Sequence, residues 1–223
     1  MAKSFTFGRN VYYNLAREVK IEKEDIIETD NTPYVTFTAD APQSFAMSQA
    51  VSTLEYSLNG GEWTELGTSI VMFGGQYGNL RLRGKSILGT SLVAPSYNNN
   101  IKFGNMTLVA CIGDIRTLLD YENYKGVDTS RARFSNLFYG CTSLTSAPEL
   151  PATILNNGCY SSMFSGCTNL TTAPQLPATT LSDNCYEMMF YGCTSLTSAP
   201  QLPATTLAYH CYSSMFSGCK SLT

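Results

Sequence analysis

Eight cysteines in a chain of 223 residues are the side chains best equipped for chemistry, as thiolate nucleophiles, metal ligands or disulfide partners. Their spacing speaks against a metal. Cys159 and Cys167 stand in a Cys-x7-Cys relation that no common zinc site uses, with no paired histidine or second close cysteine pair beside them. His210 is the only histidine, so any Ser-His-Asp or Cys-His arrangement would have to use it. One and two repeats earlier its position holds Asn184 and Gly158, and such variation reads as an exposed loop rather than a catalytic base. Glu55, Glu62 and Glu65 could pair as acid and base, but strand alternation turns them to solvent. Gly74-Gly75-Gln76-Tyr77-Gly78 lacks the Lys-Ser/Thr of a phosphate loop and reads as a turn, and the glycosylation triplets at Asn105 and Asn169 are of a kind that arises by chance. Trp63 with nearby Tyr56 could form a sugar-stacking platform, which would make the chain a carbohydrate-binding or hydrolytic module. No cofactor or metal is expected, and the favoured reading is non-enzymatic.

The elements that hold these residues are repeats. Gly-Cys recurs at Cys141, Cys167, Cys193 and Cys219 and Cys-Tyr at Cys159, Cys185 and Cys211, a spacing of 26 residues. Leu144, Leu170, Leu196 and Leu222 keep the period, as do Met163, Met189 and Met215 with the phenylalanines that follow them. Phe134, Leu137 and Phe138 fall in register, with Arg133 where later units have cysteine, so residues 113–139 read as a degenerate, capping first unit. Ser-Leu-Thr suits a short strand, while Pro174 and Pro177 force extended backbone. Cys185, Tyr186, Met189 and Phe190 fit a short helical turn that Gly192 would stop. In a stack of such units each cysteine column becomes a ladder of buried thiols; disulfides or a metal are the alternatives.

The phrase Met-Phe-Ser-Gly-Cys-Thr-Asn-Leu-Thr, with Ala-Pro-Gln-Leu-Pro-Ala-Thr-Thr-Leu between copies, resembles the BspA-like leucine-rich repeats of bacterial surface proteins, over roughly the last half of the chain. The resemblance implies a curved solenoid associated with adhesion and protein binding, without catalysis. Family members usually carry an export or lipoprotein signal, whereas the start at Met1 reads as signal-free. The stop at Cys219-Lys-Ser-Leu-Thr falls inside a unit, as expected of a fragment or of an end that a partner covers.

Ahead of the repeats, Tyr34-Val-Thr-Phe-Thr alternates, and Asn59-Gly60-Gly61 separates two strand-like runs as a hairpin turn does. Runs from Ile70, Asn79 and Asn100 add short strands, which together suggest a small antiparallel sandwich. The expected class is α+β: an N-terminal arm over residues 1–30, a β-sandwich-like domain over 31–112, and a right-handed α/β leucine-rich-repeat solenoid over 113–223.

A formal net charge of -3, with no basic stripe, makes nucleic acid a poor partner, and no apolar run is long enough for direct membrane insertion. From Phe134 onward the only charged side chains are Glu149, Asp183, Glu187 and Lys220, so Ser, Thr, Asn and Gln keep that surface wet. Positions that vary between units mark an exposed edge: Asn156 and Asn157, then Asp183 and Asn184 with Glu187, then Tyr209 and His210. The expected function is structural and recognition work in a larger assembly, with a protein or glycan ligand and other subunits as partners. A phage virion component, fibre or decoration protein, is slightly favoured; an exported bacterial cell-surface adhesin is the alternative.

Overall fold

Alternating apolar residues pair as antiparallel strands in the computed structural model, which describes residues 31–51, 53–91 and 99–223. The strands are Val35–Thr38 (β1), Gln43–Met47 (β2), Leu54–Leu58 (β3), Thr64–Glu65 (β4), Val71–Phe73 (β5), Leu80–Gly84 (β6), Ile101–Phe103 (β7) and Ala110–Ile112 (β8). They form a five-stranded sheet in the order β4-β3-β6-β1-β8 and a three-stranded sheet in the order β5-β2-β7. Between β3 and β4, Asn59 and Gly60 both take positive φ (52° and 75°), the conformation a tight hairpin turn needs and asparagine and glycine tolerate. The period-two pattern sends Val35, Phe37, Phe45, Met47, Leu80 and Leu82 inward. Phe37 lies 5.5 Å from Phe45, 5.8 Å from Phe103 and 6.3 Å from Phe73, ring to ring, so the two sheets share one aromatic core.

That core continues into the repeats. Phe37 is also 6.2 Å from Phe138, which stacks on Phe164 at 5.2 Å; Phe164, Phe190 and Phe216 follow at 5.6 Å steps. Thr32–Thr223 form one compact unit, within which the expected boundary near residue 112 falls; the expected arm over residues 1–30 lies outside the described residues. Backbone bonds also cross residue 112. The amide of Ile101 donates to Leu137 (2.8 Å), that of Val109 to Ser143 (2.9 Å) and that of Thr145 to Val109 (2.8 Å). Gly113, at φ 97°, lies so close to the backbone of Tyr34 that a Cβ there would collide with its carbonyl.

The expected α+β class and its α/β solenoid are overturned. The described residues contain eight strands, all of them ahead of the repeats, two short 3-10 turns (Gly75–Tyr77 and Ile115–Leu118) and no α-helix. Where a helix and a strand were expected in each unit, the chain runs as consecutive turns, and the backbone amides show why. In residues 158–167 the odd-numbered amides close turns onto the carbonyl three residues back, as Cys159 does to Asn156 and Met163 to Tyr160. The even-numbered amides leave the coil: Gly158 donates to Asp183, Tyr160 to Cys185, Ser162 to Glu187, Phe164 to Met189 and Gly166 to Tyr191, at 2.7–2.9 Å. An α-helix would direct every amide along its own axis and leave none to join neighbouring coils. The expected Ser-Leu-Thr strands reduce to isolated contacts, such as the parallel bridge of Leu144 with Val109.

Every fourth residue of the turn run is left-handed: Gly158, Ser162 and Gly166 in one coil, Asn184, Met188 and Gly192 in the next, then His210, Ser214 and Gly218. Thus the apolar pairs recur every four residues, inward at Cys159 and Tyr160, then Met163 and Phe164, then Cys167. An exact spacing of four over two turns mimics a helical stripe but belongs to the turn repeat.

Two stability predictions follow from the columns. Met188 sits at φ 51° where the first unit has Asn136 at φ 59°, and a left-handed conformation costs an ordinary L-residue about 1 kcal/mol or more. Met188→Asn should therefore raise stability by about 1 kcal/mol in urea unfolding; a loss would contradict the assigned backbone. Tyr186 stacks between Tyr160 and Tyr212, at 5.9 and 5.7 Å, with its hydroxyl buried and without a partner, in a column that Phe134 begins. Tyr186→Phe should be neutral or stabilising by about 1 kcal/mol, measured the same way.

Candidate functional site

The turn repeat places the varied residues along one edge. Asn157, Asp183 and Tyr209 occupy one position on three successive coils, and all three are exposed. The coils are tied at this edge: Gly158 donates to the Asp183 carbonyl (2.9 Å), Asn184 to that of Tyr209 (2.9 Å), and the amide of Tyr209 to Asp183 Oδ1 (3.0 Å). Asp183 thus braces three coils while its carboxylate faces solvent. Glu187 is half-buried, its carbonyl accepting from Ser162 (2.8 Å), and Tyr209 meets His210 edge-on at 4.0 Å. Asn156, half-buried, turns its side-chain oxygen back to the amide of Asn157 (2.8 Å). Asn156 and Asn157, Asp183 and Asn184, and Tyr209 and His210 thus fall in two adjacent columns, and Glu187 lies four residues beyond Asp183 on the same coil.

The column of Gly158, Asn184 and His210 is not free to vary as it first appears. All three are left-handed, at φ 63°, 55° and 50°, and glycine, asparagine and histidine are residues that tolerate that region. Backbone geometry thus limits the choice at His210, and the slots whose side chains vary without it are those of Asn157, Asp183 and Tyr209. The signal was present in the sequence as a restricted set of residue types.

Seven of the cysteines form two columns, Cys159, Cys185 and Cys211 in the first and Cys141, Cys167, Cys193 and Cys219 in the second, and Cys111 lies on β8. All eight are unpaired, and seven are buried, with Cys219 half-buried. In the second column each thiol donates to a carbonyl of the preceding coil or strand: Cys141 to Ile101 (3.4 Å), Cys167 to Phe138 (3.0 Å), Cys193 to Phe164 (3.1 Å) and Cys219 to Phe190 (3.0 Å). Cysteine there supplies a small apolar body with a weak donor. Burial pushes the Cys141, Cys159 and Cys193 thiols from their ordinary value of 9.0 up to about 12, and that of Cys185 to about 11. These are poor nucleophiles. Among the described residues no group of three or more His, Cys, Asp or Glu is placed to hold a metal ion.

On the β sheet, the Arg83 guanidinium covers Trp63 at 4.3 Å, and Tyr34 meets the same ring edge-on at 4.7 Å. The indole is thereby engaged within the protein, and Tyr56 is half-buried on β3. Glu55 pairs with Arg83 at 2.6 Å, directly across from it in the sheet, while Glu62 and Glu65 are exposed. No helix among the described residues is long and apolar enough to cross a membrane. Comparison with protein-family models, curated proteins and solved structures finds no match to this chain.

The thiol columns give a prediction with a definite sign. Folding holds the Cys141, Cys159 and Cys193 thiols protonated, so native protein binds more protons than unfolded protein between pH 9.0 and about 12. The thiols' contribution to stability should be constant below pH 9.0 and fall as pH rises through that window, read as a dropping Tm. At neutral pH an alkylating reagent should label Cys219 first and the other seven only on unfolding; rapid native labelling of Cys167 or Cys193 would contradict the packing.

Proposed function

We propose that this chain is a non-enzymatic structural and recognition protein, in which the β-sheet module mounts the stacked coils on a larger assembly and the Asn157–Asp183–Tyr209 edge meets a protein or glycan ligand. One observation carries the reading. Successive coils keep the same inward residues, Cys, Tyr, Met and Phe, while the exposed position beside them changes from amide to carboxylate to phenol. A fixed frame that displays changing side chains at about 5 Å intervals is suited to presenting a surface. Tyr209, at 69% exposure, is the large amphipathic side chain that recognition surfaces favour. A phage virion component, a fibre or decoration protein, is the favoured setting, and an exported bacterial cell-surface adhesin the alternative.

The setting is tested by fractionating native material, with recovery in large particles expected and recovery in membranes favouring the adhesin. For the edge, Tyr209→Ala combined with Glu187→Lys leaves the Asp183 bonds intact. This pair should weaken attachment of the protein to its native particle or cell surface about tenfold, close to 1.4 kcal/mol, with Tm unchanged. Undiminished attachment would sink the proposed edge.

A further inference from the structure

Away from that edge, where β7 meets the first coils, lies a cleft of about 230 Å³ between the segments around residues 101–106 and 139–143. Its walls are fixed to each other. Asn100 Nδ2 donates to the Tyr139 carbonyl (3.2 Å), the Ile101 amide to Leu137 (2.8 Å), the Cys141 thiol to Ile101 (3.4 Å) and Ser143 Oγ to the Asn105 carbonyl (3.1 Å). The cleft is therefore preformed, and its volume suits one ring rather than a drug-sized molecule.

Its chemistry is specific. Lys102 is the one charged residue lining it, exposed and in no ion pair among the described residues. Tyr139 shows 52% of its surface at the rim, and neither its hydroxyl nor that of Thr142 is used in a hydrogen bond of the described residues. A cation, a half-exposed tyrosine and two hydroxyls suit a ligand with a carboxylate, a flat carbon face and hydroxyl groups, as a sugar acid has.

The column beyond Tyr139 extends the argument from one ring to a chain. Its residues on successive coils are Tyr139, Ser165, Tyr191 and Ser217, with Tyr191 46% exposed. Stacked core rings step by 5.2 and 5.6 Å between these coils, so the two tyrosines are on the order of 10 Å apart. That alternation of large and small residues matches an extended β-linked glycan, in which successive rings turn over and the disaccharide is the repeating length. We propose that the Lys102 cleft and the Tyr139–Tyr191 column bind an acidic β-linked polysaccharide, with one sugar carboxylate on Lys102 and alternate rings on the tyrosines. This site is separate from the Asn157–Asp183–Tyr209 edge, and the two stand or fall independently.

Calorimetric titration of the full chain tests it with three probes: a tetrasaccharide of alternating glucuronic acid and N-acetylglucosamine, the neutral cellotetraose, and a tetraglutamate peptide. The acidic tetrasaccharide should bind about tenfold more tightly than cellotetraose, and Lys102→Gln should abolish that difference. Tyr139→Ser and Tyr191→Ser, which install the residue neighbouring coils carry in the same column, should each weaken the tetrasaccharide at least about fivefold with Tm unchanged. Equal binding of acidic and neutral sugars would overturn the proposal. So would acidic binding that Lys102→Gln leaves intact, tetraglutamate binding as tight as the tetrasaccharide, or no tetrasaccharide binding at about 1 mM.

Discussion

The alternation of backbone amides, one closing a turn within its coil and the next donating to the following coil, is the constraint on which the repeats depend. It satisfies the polar backbone of a segment that has neither helix nor sheet, and an unpaired buried amide would cost about 1–3 kcal/mol. It also dictates the side chains. Alternate direction of the amides requires a left-handed residue every fourth position, which explains Gly158, Asn184 and His210 and the Gly140–Gly166–Gly192–Gly218 column. The intervening pairs point inward, where Tyr and Phe stack in parallel columns with interplanar angles of 11° or less. With backbone bonds and ring columns both running between coils, charge is not needed for cohesion. Thr171, Thr197 and Thr223 add a third ladder, each turning its amide and hydroxyl to the carbonyl of the threonine one coil earlier.

The β module is continuous with this stack in both chemistry and packing. Phe37 belongs to the sheet core and also touches the first ring of the Phe138 column. The Leu88 carbonyl accepts from Arg133, and Ser146 Oγ accepts from Cys111 and donates back to its carbonyl, so the module supplies the first coil with the partners a preceding coil would supply. The cysteine column shows the same continuity: Cys141 donates to β7 where Cys167 donates to Phe138.

How far the sequence disclosed this varied with the kind of signal. The 26-residue period, the inward columns and the hairpin at Asn59 were legible because each rests on a repeated pattern or a turn chemistry with one conformational meaning. The helix expected over Cys185–Phe190 was misread because spacings of i, i+1, i+4 and i+5 are shared by an α-helix and by a four-residue turn repeat. β2 and β8 were not expected: Gln43 is buried yet polar, held by bonds from its amide nitrogen to the carbonyls of Asn105 and Thr107, a partnership no local pattern reveals. The exposure of Asn157, Asp183 and Tyr209 was legible in their variation, but the left-handed geometry behind His210 was not. The Lys102 cleft joins segments about 40 residues apart and has no signature in either.

The Phe37–Phe138 contact also bears on how the chain reaches its fold. A coil of turns alone buries little until another surface accepts its amides and rings, and closing each such loop costs conformational entropy before any contact is gained. The β module brings Phe37, Phe45, Phe73 and Phe103 together in its sheets, and the first coil adds the Phe138 ring to that cluster. The entropic cost of closing the first coil is therefore offset by contact with the sheet core, whereas that of each later coil is offset by stacking of its ring on the coil before it.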